Sequence, residues 1–166
     1  MTHRTFPNVV ELDHISWKLL EALQQNARLS FAELGRKVGL STPAIAERIH
    51  RLEEAGIITG YHASVNPSKL GLPIRVLVNL TIHGGESQMQ RTVATVKDCP
   101  EIHRCHRITG EQSFVIEANV ASIRHLEVLI DKLSTLGTTS TSTVLSSPVE
   151  RREYEGSQME AFTRYA

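Results

Sequence analysis

Two arginines, three glutamates and an opening run of small residues fall together in one stretch, Ser41 to Gly56. Ala44, Glu47, Arg48 and Arg51 recur at i, i+3, i+4 and i+7, the spacing of one side of a helix. Guanidinium groups held on such a side donate to guanine edges or to phosphate, and a glutamate there accepts from cytosine or holds an arginine at i+4. Ser41 or Thr42 can cap the start of the helix. Pro43 loses nothing by its missing N–H in a first turn, and the N–H groups that remain near Ser41, Thr42, Pro43 and Ala44 favour a phosphate. Ile45, Ile49 and Leu52 form a separate apolar stripe at i, i+4 and i+7, and Gly56 suits a left-handed stop. The expected chemistry is readout of a DNA major groove, with Arg48 and Arg51 on bases or phosphates. An ordinary amphipathic surface helix is the plain alternative, and the flanking stretches decide between them.

A reading helix needs a support. Leu12, Ile15, Leu19 and Leu23 predict a first helix over residues 12–26, with Asp13 as its cap and Trp17 on its flank. After a loop at 27–29, Ser30 and Glu33 form a capping box for a second helix whose expected buried stripe is Phe31, Leu34 and Val38. Gly39 and Leu40 make a tight turn into the reading helix, so the order is helix-turn-helix. Arg36 and Lys37, at the end of the second helix, are expected on the DNA backbone. Ile57 to Val65, β-branched around Gly60, predicts a short hairpin wing. Asn66-Pro67 and Gly71-Leu72-Pro73 read as a linker.

The second half changes period. Ile74, Val76, Val78, Leu80 and Ile82 alternate as a half-buried strand closed by Gly84-Gly85. Met89, Val93 and Val96 mark a helix that Cys99-Pro100 ends. Residues 102–109 predict a second strand, 110–113 a turn, and Phe114, Ile116, Ala118 and Val120 a third strand. Ser122 caps a helix with Ile123, Leu126, Ile130 and Leu133 on one face. Gly137 ends it, and 138–147 is a fourth strand. The chain is therefore α+β: a winged helix-turn-helix followed by a ferredoxin-like βαββαβ domain. One sheet face is expected to pack under both helices. The other, with Leu77 between Arg75 and Asn79, is left for a second copy of the chain.

Composition narrows the function classes. The 166 residues carry a formal net charge of zero, so a DNA binder of this kind needs locally placed basic groups and several copies acting together. No run reaches the ~20 apolar residues of a membrane helix, and the opening Met1 to Asn8 has no signal-peptide core, which predicts a cytoplasmic protein. Cys99 and Cys105 are expected as reduced core residues. His103-Arg104-Cys105-His106 invites a metal reading. In a regular strand, however, His103 and Cys105 share a face while His106 points away, short of a closed zinc site. No metal or cofactor is expected, and no phosphate loop, serine elbow or zincin motif appears.

Leu12-Asp13, Leu19-Leu20, Leu23-Gln24, Asn26-Ala27-Arg28, Leu34-Gly35, Gly39-Leu40-Ser41, Arg48-Ile49, Leu52-Glu53 and Gly56-Ile57-Ile58 together resemble the DNA-binding half of the Lrp/AsnC transcription regulators. Cys105, Ile108-Thr109-Gly110 and Phe114 resemble their ligand-sensing, oligomerising half. The resemblance spans about residues 11 to 150. The polar tail over 151–166 has no clear counterpart and is expected to be mobile or a short capping helix; the resemblance implies a winged helix-turn-helix over 1–66, a linker over 67–73 and a sensing domain over 74–150. It also implies double-stranded DNA as partner, a homodimer or a ring of dimers, and an amino-acid effector held near a turn and a strand start. Carried over, those effector positions are Gly110, Glu111, Gln112 and Ser113, with Thr138, Thr139 and Ser140. The family's usual Gly-x-x-Asp reads Gly110-Glu-Gln-Ser113 here, so recognition of an ammonium would fall to Glu111 or to carbonyls. The alternative is an enzyme. Sirohaem decarboxylases share the two-part plan, but Ala27 to Phe31 and Ile58 to Tyr61 are regulator-like where those enzymes differ.

Overall fold

The structure, a computed structural model, describes residues 10–162, with side chains through Met159. The opening residues 1–9 and the last four of the tail lie outside that range. Two compact units form. One is built from the N-terminal part through Ala63 together with the chain from Val149 onward, and the other is Ser64–Pro148.

The first unit holds α1 (His14–Gln25), α2 (Phe31–Val38) and α3 (Thr42–Glu54), with α6 (Gly156–Phe162) returning to it from the chain end. Asp13 caps α1 by accepting from Ser16 N at 2.7 Å. Both halves of the Ser30/Glu33 capping box are made, and the Ser30 hydroxyl bond leads the interactions that hold the Glu33 carboxyl below its ordinary pKa. Leu19, Leu20, Leu34, Ile45, Ile49 and Leu52 make the core, so the predicted stripe of α3 is the buried one. Phe31 corrects the expected stripe of α2: it is exposed, because it is the helix's first residue and lies outside the cluster that Leu34 joins.

Residues 57–65 form no strand, unlike the hairpin expected there. The N–H groups of Ile57 and Ile58 both turn back to Leu52 O, at 2.9 and 3.1 Å, and their side chains pack on the helical core. The amides that would open a hairpin are thus spent on ending α3, and an isolated two-stranded ribbon is marginal. Residues 67–70 are one 3-10 turn capped by Asn66, where the sequence suggests only a linker.

The second unit runs β1 (Ile74–Thr81), α4 (Glu86–Lys97), β2 (Ile102–Arg107), β3 (Phe114–Val120), α5 (Ile123–Ser134) and β4 (Thr138–Thr143). Its antiparallel sheet has the order β2-β3-β1-β4. Val76, Val78 and Leu80 pair with Ala118, Ile116 and Phe114 and share one core with Val96, Leu126, Leu129 and Leu133 from the two helices. Arg75, Leu77 and Asn79, opposite Asn119, Glu117 and Val115, alternate onto the other face. The fourth strand stops at Thr143, short of the expected 147. Val144 N still reaches Arg75 O at 2.9 Å, and Arg75 Nη1 donates to Ser147 Oγ at 3.1 Å.

A bulge in β2 changes the expected faces. Register shifts between Ile102 and Arg104, so Ile102 and Cys105 both face the helices while His103 turns to the other side. There His103 meets Asn119 at 3.3 Å and Glu117 at 3.4 Å. The expectation that His103 and Cys105 share a face is therefore overturned. Both cysteines are free: Cys99 is buried with its thiol donating to Thr95 O, and burial pushes the Cys105 thiol up.

Candidate nucleic-acid interface and effector turn

The presentation of α3 depends on a close approach. Gly39 N and Leu40 N both donate to Gly35 O, at 2.8 and 3.0 Å, and Gly39 takes φ +74°. A Cβ on Gly35 would lie 2.5 Å from Leu40 O, so α2 and the turn into α3 meet at a distance only glycine allows. Ser41 is the N-cap of α3, but its hydroxyl makes no capping bond, and Ser41, Thr42 and Pro43 are exposed with Ala44 half-buried behind them. Gly56, at φ +68°, follows the last turn as expected.

The two arginines of α3 have different environments. Arg51 is exposed and pairs with Glu47 one turn earlier. Arg48 lies on the flank of the helix, with Nη1 donating to Asp13 at 2.7 Å and to Ser16 Oγ at 3.3 Å. Its side chain is 31% exposed against 70% for Arg51. Asp13, held down to a pKa of about 2 chiefly by the Ser16 N–H and hydroxyl and then by Arg48, thus caps α1 and fastens α3 to it. Sequence reasoning gives Asp13 only the capping role, since the pairing spans 35 residues of chain. Arg36 and Lys37 are exposed in the last turn of α2. Tyr61 donates to Glu53 at 2.9 Å, which ties the segment after α3 to the helix's end, and desolvation leads the effects that push its pKa up to about 12.

The proposed effector positions gather at one end of the sheet. Gly110 has φ +114° in the turn between β2 and β3. Ser113 N donates to Leu80 O at 2.9 Å, and its hydroxyl accepts from Ile82 N at 3.1 Å. The Thr81 hydroxyl faces Glu111 O at 3.4 Å. Thr138, Thr139 and Ser140 pair with Thr81, Leu80 and Asn79, so the turn and the start of β4 flank the same end of β1 from its two sides. Gln112 is half-buried within the turn. Gly137 is also compelled, as a Cβ there would lie 2.2 Å from Thr81 O. Ser113, with its hydroxyl bonded to the backbone, closes the turn onto β1 and brings no charge to it.

Comparison with known proteins places both halves. Residues 12–53 match the AsnC-type helix-turn-helix domain, and residues 75–154 match the Lrp/AsnC ligand binding domain. The chain is 35% identical over 137 residues to the HTH-type transcriptional regulator LrpC of Bacillus subtilis, covering 82% of this chain and 94% of that protein. It is 36% identical over 120 residues to the leucine-responsive regulatory protein of Haemophilus influenzae, covering 72% of each. The solved structure of B. subtilis LrpC superposes with a TM-score of 0.80 at 34% identity, over 86% of this chain and 100% of that one. A Neisseria meningitidis transcriptional regulator solved as an L-Met complex superposes at 0.81 and 27% identity, over 90% and 99%. Two domain matches in sequence order, and a 35% identical relative matched over 94% of its length, show that the chain belongs to the Lrp/AsnC family of transcriptional regulators.

Proposed function

We propose that this chain is a sequence-specific DNA-binding regulator that works as a homodimer or an oligomer of dimers in the cytoplasm. In this reading residues 1–66 bind DNA, 67–73 link, 74–150 sense and oligomerise, and 151–166 form a tail. The observation that carries it is the two-sided α3, with Ile45, Ile49 and Leu52 buried while Ser41, Thr42, Pro43, Glu47 and Arg51 stay exposed. Arg51 and the helix start approach bases, and Arg36 and Lys37 touch phosphates. Arg48 contributes to the DNA face while Asp13 fixes its direction. We assign the effector to Gly110, Glu111, Gln112 and Ser113 with Thr138, Thr139 and Ser140. An amino acid fits, as in the relative solved with L-Met. Its carboxylate would be received by turn N–H groups and its ammonium by Glu111 or carbonyls, because Ser113 brings no charge.

Selection of bound duplexes from a random pool tests the reading. Enrichment of a two-fold-related motif, shifted by added L-methionine or another amino acid, is the expected result, and a pool that never enriches would refute it. The decarboxylase alternative has no support in the B. subtilis and H. influenzae relatives, both of which carry regulator names. A porphyrin is expected to leave its visible spectrum unchanged on addition of the protein.

A further inference from the structure

The segment after β4 does not end with the unit that contains that strand. From Val149 the chain rejoins the helical unit, where α1 grips it through the polymer backbone. Gln24 donates through Nε2 to Tyr154 O and accepts at Oε1 from Tyr154 N, both at 2.9 Å. Gly156 N donates to Glu21 Oε1 at 3.1 Å. Gly156 packs against Trp17 so closely that a Cβ there would be 2.9 Å from the indole Cγ. An amide side chain that satisfies both backbone groups of one residue, beside a glycine fitted to an indole, is a built docking site. The Gln24 bonds are exposed, so the seat is one the segment can leave.

We propose that residues 153–159 are a detachable strap, a second tether that limits the freedom of the DNA-binding unit. With the strap seated, that unit is joined to the sheet unit by two passages of chain, at Ala63–Ser64 and at Pro148–Val149. With the strap released, only the first passage holds it. The second passage leads directly from β4, whose first residues Thr138, Thr139 and Ser140 are assigned to the effector, past Ser147 fastened to Arg75. Tension or slack at the end of β4 therefore reaches α1, and α1 holds α3 through Asp13 and Arg48. The consequence for DNA rests on the regulator reading. Two recognition helices held on short double tethers meet paired half-sites at higher effective concentration than on single ones.

Trp17 is the single tryptophan of the chain and reports the strap without a label. Two full-length variants release it by different means. Gly156→Leu cannot seat against the indole, and Gln24→Ala removes both bonds to Tyr154 while keeping a strong helix former in α1. In both, Trp17 emission shifts to the red and its anisotropy decays faster than in the wild type. Affinity for a duplex with paired half-sites falls about tenfold, a part of what linking two sites provides, and affinity for a single half-site is unchanged. Unchanged emission and anisotropy in both variants overturn the strap. A red shift without faster decay overturns the tether, as does an equal loss on single and paired sites. If the wild-type chain binds neither duplex, the regulator reading fails, and the fluorescence pair still decides the strap.

Discussion

Two arginines three residues apart on α3 look interchangeable in the sequence, and the fold separates them. Arg51 reaches solvent and, among the described residues, pairs with Glu47; an exposed i,i+4 pair of this kind is worth a few tenths of a kcal/mol, so DNA can take the guanidinium at small cost. Arg48 already has an acceptor in Asp13. Arg51→Ala is therefore expected to lower specific affinity by ~1–3 kcal/mol while leaving the melting temperature nearly unchanged. Lys37→Ala should weaken binding evenly across sequences and reduce the salt slope by about 1. Titrations of a selected duplex at several salt concentrations check both, and an Arg51→Ala chain that binds as the wild type does would remove this residue from the interface. The residue types on α3 were legible because their spacing is local. The partner of Arg48 was not, because nothing in the neighbourhood of α3 names Asp13, and the face taken by His103 was hidden by a bulge that leaves no trace in composition.

The helices announce themselves by caps and periodicity: α1 and α2 follow Asp13 and Ser30, whose side chains cap them, and α3 follows Ser41 at the expected place without a side-chain cap. What local signals miss is how the elements close on one another. The hairpin expected after α3 fails because its first amides end the helix, and the strap escapes notice because a polar segment held by backbone bonds has no apolar period. Gly35 looks like a weak point inside α2, yet it is where the turn into α3 passes closest. Gly35→Ala should cost the first unit roughly 1–3 kcal/mol, as forced overpacking does, and unseat α3. Calorimetry together with DNA binding measures this, and a neutral substitution would show that the approach has slack. The Asp13 link gives a pH signature. Its carboxyl is held near pKa 2 against an ordinary 3.8, so its contribution is complete above the ordinary value and lost as pH falls through the lower one. Because the carboxylate is half-exposed, that contribution is roughly 0.2–1 kcal/mol. Asp13→Asn, which keeps an acceptor for Ser16, should be less stable than the wild type above pH 4 and converge with it near pH 2. Parallel curves over that range would assign the depression elsewhere.

Assembly is where the βαββαβ pattern, readable from alternation alone, has its largest consequence. One face of the sheet is spent on α4 and α5. The other carries Leu77 among Arg75, Asn79 and Glu117, with Ser140 and Ser142 alternating beside them on β4. A half-buried leucine on a polar face contributes little to a lone chain but supplies apolar area to an interface. Leu77→Arg separates these roles. Within one chain the new guanidinium sits directly across from Glu117, a favourable cross-strand pair, so the sheet itself is not weakened. In a dimer built on this face, as proposed, the same guanidinium would be desolvated against its equivalent, which costs several kcal/mol. Sedimentation velocity should therefore show Leu77→Arg moving toward monomer, with its circular dichroism and single half-site affinity unchanged and its paired-site affinity reduced. If the variant sediments as the wild type does, the proposed dimer is not built on this face, and any pairing of two recognition helices on DNA must come from contacts outside this sheet.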